Sequence, residues 1–138
     1  MKQSIIHVAL LVEDYDDALD FYVKKLNFEV LENTKLSDVK RWVLIQPPGS
    51  LGCNLLLAKA ANARQMSTIG NQTGGRVFLF LETDDFFRDY NKMLANDISF
   101  IREPMVESYG IVAVFQDLYG NLWDLIQRTD KKAGHDKK

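Results

Sequence analysis

The chain has 138 residues, 46% of them hydrophobic and 26% charged, and a formal net charge of −2 at pH 7. That length supports one domain with a real core, and that composition excludes a disordered chain. No surplus of Lys and Arg exists to neutralise a phosphate backbone, so nucleic acid is not an expected partner.

The first apolar run, Ile5 to Val12, has strand length and is rich in Ile and Val. Alternation sends His7, Ala9 and Leu11 to one face and Val8, Leu10 and Val12 to the other. The run is too short to span a membrane and lacks a leader's cleavage region, so no membrane partner is expected. Asp14 stands ready to cap a helix, with Tyr15, Ala18, Leu19, Tyr22 and Leu26 as its apolar stripe. Asp16, Asp17 and Asp20 come early on its wet side and Lys24 and Lys25 late, which complements the helix dipole. Asn27 ends it.

Strands are then predicted at Phe28 to Leu31, at Arg41 to Gln46 and at Cys53 to Ala58. Pro47-Pro48-Gly49 stops the second of these. Cys53 is the only cysteine, so no internal disulfide forms. It reads as a small apolar strand residue, and a reducing, cytoplasmic setting is expected. A connection over 59–75 follows, with a short helix near Asn62 to Thr68 and a glycine-rich loop from Gly70 to Gly75. Asn71 and Gln72 in that loop can hydrogen-bond a ligand, although the segment also reads as a plain connector. It matches neither a P-loop nor a dinucleotide fingerprint, so no nucleotide cofactor is expected.

The pattern then restarts. Arg76 to Glu82 reads as a strand, and Asp84 or Asp85 caps a helix carrying Phe86, Phe87, Tyr90, Met93 and Leu94. Ile98 to Ile101, Ile111 to Gln116 and Leu122 to Gln127 read as strands, with a turn at Asp117 to Asn121. A slide of about 69 positions lays Val8 on Val77, Leu10 on Leu79, Glu13 on Glu82 and Asp20 on Asp89. The chain is thus a weak internal repeat of two βαβββ units, an α+β architecture. One unit cannot cover both faces of its sheet; two can build an eight-stranded curved sheet with helices outside. The domain is expected to span 4–128, with module 1 at about 4–58, a linker at 59–75 and module 2 at about 76–128. The last stretch, 129–138, has no large apolar side chain and reads as a disordered tail that includes His135.

The opening His7-Val8-Ala9-Leu10-Leu11-Val12 with Asp14 to Tyr22, and the closing Phe115 to Leu125, resemble the vicinal-oxygen-chelate superfamily of glyoxalases, bleomycin resistance proteins and extradiol dioxygenases. That resemblance implies a divalent metal (Zn, Ni, Fe or Mn) held at four positions, which fall here on His7, Leu56, Arg76 and Asp124. Leu56 cannot ligate, and Arg76 is a permanent cation that donates only. The implied metal site is therefore incomplete, with His7 and Asp124 as its remaining ligands. Single-chain members commonly pair, so a homodimer is expected.

Several side chains carry two readings. His7 is either a hydrogen-bonded core residue or a site residue. Asp124, on an apolar strand, needs a partner: a metal, His7 or Arg76. Arg76 either reaches solvent or holds an anionic ligand group. Phe78 and Phe80 are expected on the strand face of Arg76, lining an apolar pocket. Trp42 and Trp123 read as packing residues. Glu107 and Tyr109 lie in an expected loop that can act as a lid supplying an acid or base. Two functions follow for a small-molecule ligand. One is an enzyme of lyase, isomerase or dioxygenase type acting on a small oxygen-rich or anionic metabolite, with His7, Asp124 and Glu107 as catalytic groups. The other is a metal-free protein that sequesters its ligand, as in the bleomycin resistance branch.

Overall fold

A computed structural model of the chain describes residues 1–129. His135 and all of the expected tail except Thr129 lie outside the described residues. The chain divides into two compact units, the first Met1–Gly70 and the second beginning at Asn71.

The first unit holds β1 (His7–Val12), α1 (Tyr15–Leu19), β2 (Glu29–Lys35), β3 (Arg41–Gln46), β4 (Asn54–Lys59) and α2 (Ala63–Met66). Asp14 caps α1 as expected, its carboxylate accepting the Asp17 N–H at 2.9 Å. The helix then widens into π-type turns over Asp20–Lys25. Its last bond runs five residues back, from the Leu26 N–H to the Phe21 carbonyl at 3.1 Å. Strand order is β1-β4-β3-β2, with β1 parallel to β4 and the other pairs antiparallel. One face of the sheet is dry: Leu10, Val12, Val43, Ile45 and Leu57 are all at most 1% exposed, as are Ala18 and Tyr22 of the helical segment. Burying each large side chain stabilises the unit by roughly 1.5–3 kcal/mol. The other face carries the alternate residues His7, Ala9 and Leu11 of β1 and Leu56 and Ala58 of β4, which keep some exposure.

The second unit repeats the plan with β5 (Leu79–Glu82), α3 (Phe86–Ala95), β6 (Phe100–Glu107), β7 (Gly110–Gln116) and β8 (Leu122–Arg128), in the order β5-β8-β7-β6. Asp85 is the cap of α3, accepting the Arg88 N–H, and the Gln127 side-chain carbonyl accepts the Phe86 N–H at 2.7 Å. Phe86, Phe115, Trp123 and Leu125 form its core. The repeat extends to backbone detail. Asn27 and Asp97, which each end a helix, both have φ of 63°. The residue after each returns its N–H to the helix: Phe28 to Tyr22 at 2.8 Å and Ile98 to Met93 at 3.0 Å.

The architecture agrees with the tandem βαβββ expectation. Among the described residues, eight strands are hydrogen-bonded as two four-stranded mixed sheets, one in each unit. Several boundaries move. Strands β2 and β6 run on to Lys35 and Glu107 through polar sequence, because both are edge strands whose outer residues stay wet. The fifth strand starts at Leu79, so Arg76 lies in the bend that precedes it.

Candidate functional site

On the open face of the first unit, the His7 ring meets Trp42 edge-on, with centroids 6.2 Å apart and planes at 72°. Its Nδ1 lies 2.7 Å from the Ile6 carbonyl, which assigns the proton to Nδ1 and leaves the Nε2 lone pair to accept. His7 pairs in register with Asn54, and Ala9 with Leu56, so a hydrocarbon fills the position diagonal to the imidazole.

Beside this pair, at the end of the sheet where β3 begins and β4 stops, lies a cavity of about 540 Å³. Its floor is Leu56, Ala58 and Ala60; Trp42 and Tyr15 supply aromatic surface and Gln65 an amide. Local folding explains why it stays open. Arg41, which lines the cavity, is fixed by three contacts. Its guanidinium carbon sits 4.7 Å over the Tyr15 ring, and its Nη2 is 3.0 Å from the Asp16 carboxylate. Its backbone N–H donates to the Tyr15 hydroxyl at 3.1 Å. Small residues, Ala58, Ala60 and Ala61, stand where larger ones would close the space.

On the open face of the second unit, Asp124 of β8 lies in register between Phe80 of β5 and Val114 of β7, and Val114 pairs in turn with Arg102 of β6. Burial pushes the Asp124 carboxyl above the usual carboxylate range, and the charge of Arg102 pulls it part of the way back. Phe80 projects from the same row with 67% exposure.

The expected site residues are thus only partly gathered. The cation that acts on Asp124 is Arg102, not Arg76. Arg76 is exposed in its bend, where its carbonyl accepts the Thr73 hydroxyl at 2.5 Å. Phe78 precedes β5, half-buried, and does not share an open strand face with Arg76. Glu107 closes β6 and pairs with Gly110, so only Ser108 and Tyr109 form the hairpin turn. A two-residue turn cannot serve as the expected lid. Asn71 and Gln72 belong to the turn that opens the second unit, where the Asn71 carbonyl accepts the Gly74 N–H at 3.2 Å.

The donor set also fails the fit to a resident metal. Of the four expected positions, the first unit offers His7 and the hydrocarbon Leu56, the second offers Asp124 and the guanidinium Arg76. Among the described residues no three His, Cys, Asp or Glu side chains gather as a metal-binding group. Arg102 and the lysines of the cavity are residues that sequence reasoning passed over, and Trp42, read there as a packing residue, lines the cavity. The one signal for the cavity is the run Lys40-Arg41-Trp42, two cations and an aromatic at the start of a strand.

A family model described as the Glyoxalase/Bleomycin resistance protein/Dioxygenase superfamily matches residues 4–125. A Shewanella frigidimarina (strain NCIMB 400) protein with the name "Uncharacterized protein" is 60% identical over 133 residues, covering 96% of this chain and 98% of its own. Among solved structures, UcmS2 is similar with a TM-score of 0.79 and 25% identity, covering 91% of this chain and 98% of that one. TnmS3, an antibiotic binding protein from Streptomyces sp. CB03234, is similar with a TM-score of 0.75 and 25% identity, covering 94% and 99%.

Proposed function

The chain belongs to the Glyoxalase/Bleomycin resistance protein/Dioxygenase superfamily, and from that premise we propose that it binds and sequesters an aromatic small molecule without a metal. The cavity under Trp42 carries this reading. About 540 Å³ suits one drug-sized molecule, and a lining of apolar and aromatic side chains joined by the polar Gln65 and the cations Lys40, Arg41 and Lys59 can both bury and orient one. The metal positions support it, since each unit supplies only one ligating side chain where a catalytic zinc takes three from the protein. TnmS3 supports it as a structural relative that binds an antibiotic. The test is quenching of intrinsic fluorescence by a panel of planar aromatic compounds. Saturable quenching lost in Trp42→Ala and in the cavity-filling Ala58→Leu is expected; binding indifferent to both would refute the reading.

One observation favours an enzymatic reading as well. Asp124, with its carboxyl raised by burial and Arg102 nearby, has the character of a proton-transfer group. In that reading Asp124 acts as the acid or base of the second unit on a small oxygen-rich substrate, with Glu107 as a further candidate. Turnover abolished by Asp124→Asn but kept in Trp42→Ala would favour it. We take the working form to be a homodimer in the cytoplasm. Exposed Ile101, Met105 and Val106 on β6 offer apolar surface to a second copy. Light scattering that finds only monomer at micromolar concentration would exclude the dimer.

A further inference from the structure

Resting on the reading of the first unit's cavity as the ligand site, we propose that its ligand is an aromatic anion: a planar ring system bearing a carboxylate, sulfonate or similar charged group. The chain as a whole has a net charge of −2. The cavity reverses that sign, because its lining includes Lys40, Arg41 and Lys59 and not one Asp or Glu. These three cations are not equivalent. Arg41 is engaged by Asp16 and by the Tyr15 ring. Lys40 and Lys59 make no ion pair among the described residues, although Lys24, Lys35, Arg88 and Arg128 all do.

Two lysines without an ion pair among the described residues, both in the lining of a partly apolar cavity, set a specific chemistry. A cationic ligand would be repelled as it approached, and a neutral one would leave both charges unused. An anion gains from them, and it gains more than it would on a flat surface, since low-dielectric walls focus the field of a charged cleft. The apolar remainder of the lining, Trp42, Leu56 and Ala58 among it, has no charge to offer and accepts a ring. The two parts lie in one cavity, so one molecule must carry both features.

The test uses two probes that differ in a sulfonate: 8-anilinonaphthalene-1-sulfonate and the neutral N-phenyl-1-naphthylamine. Each is titrated against the full-length wild type, the double variant Lys40→Gln/Lys59→Gln, Trp42→Ala and Ala58→Leu, with circular dichroism to confirm the fold. Both lysines are exposed, so their replacement leaves the core intact. The expected result is saturable binding of both probes at one site, with Trp42→Ala and Ala58→Leu weakening both. The double lysine variant weakens the sulfonate about five- to tenfold and the neutral probe by less than about twofold, and added salt does the same. Equal response of the two probes to the lysine variant, with Trp42→Ala still weakening both, overturns the anion preference and leaves the site standing. If neither probe saturates, or if neither cavity substitution matters, the site itself falls and the anion proposal falls with it.

Discussion

The Tyr15 hydroxyl accepts the Arg41 N–H at 3.1 Å while the Tyr15 ring lies under the Arg41 guanidinium, 4.7 Å from its carbon. One side chain at the start of α1 therefore fixes both the backbone and the charge at the start of β3, which is the mouth of the cavity. Tyr15→Phe keeps the ring and removes the acceptor. It is expected to cost about 1 kcal/mol in urea unfolding and to weaken probe binding in the cavity. Asp16→Asn should change stability by less, because the Asp16 side chain is 73% exposed and an exposed ion pair contributes little. If Asp16→Asn proves the costlier change, the ion pair and not the tyrosine holds Arg41.

Gly110 is the residue that lets β7 pair with β8 to the end of the hairpin. Its φ is 150°, and a Cβ there would lie 2.1 Å from the Gln127 carbonyl oxygen and 2.9 Å from the Arg128 Cα. Both obstacles are backbone and cannot rotate away. Gly110→Ala should destabilise the protein by more than about 2 kcal/mol, read as a fall in Tm. Gly120→Ala is the control: its φ is 96°, but nothing lies within 4 Å of the added carbon, so only the backbone strain remains. Equal losses at the two positions would show that the close approach to Gln127 does not matter.

The repeat was legible because apolar strand residues recur: Leu10 and Leu57 have their counterparts in Leu79 and Leu125. The extensions of the edge strands were not, because Glu32 to Lys35 and Arg102 to Val106 carry no alternation to read. Pro104 stands on β6, an edge of its sheet, where a missing N–H is tolerated. For the site, alternation separates His7, Ala9 and Leu11 from Val8, Leu10 and Val12, and the structure keeps the first set partly exposed and buries Leu10 and Val12. The neighbour of Asp124 was hidden, because β6 shifts register on both sides of Arg102 and no counting along the chain brings it to position 124. The cavity was hidden too, since its lining joins Tyr15, the start of β3, the end of β4 and Gln65, which lie far apart in the chain.

Asp124 sets a pH dependence of defined sign. Burial raises its pKa, so the folded chain holds this proton more tightly than the unfolded chain does. The associated stability is present at pH below the ordinary value of 3.8 and is lost as pH rises from there through the raised folded value. Asp124→Asn should therefore be more stable than wild type at pH 7 and nearly equal to it at pH 3. The gain should stay below about 1 kcal/mol, because the side chain is partly open to solvent that screens it. Arg102→Met should move the Asp124 titration further upward, followed by NMR of the carboxyl carbon. A downward movement would mean that Arg102 does not act on Asp124.

The metal question can be settled by adding a ligand as well as by looking for one. His7 pairs with Asn54, which puts residue 56 two positions along the neighbouring strand and on the same open face. Such diagonal neighbours lie about 7–8 Å apart at their Cα atoms, within reach of two imidazoles that share an ion. Wild type has leucine there, so calorimetric titration with Zn²⁺, Ni²⁺, Fe²⁺ or Mn²⁺ should give no tight site, and a chelator should leave Tm unchanged. Leu56→His should raise Ni²⁺ or Zn²⁺ affinity at least about tenfold, and the further change His7→Ala should remove the gain. Tight metal binding by wild type that disappears in His7→Ala would overturn the metal-free reading. It would also require that the missing donors come from outside the four positions, since Leu56 has no lone pair to give.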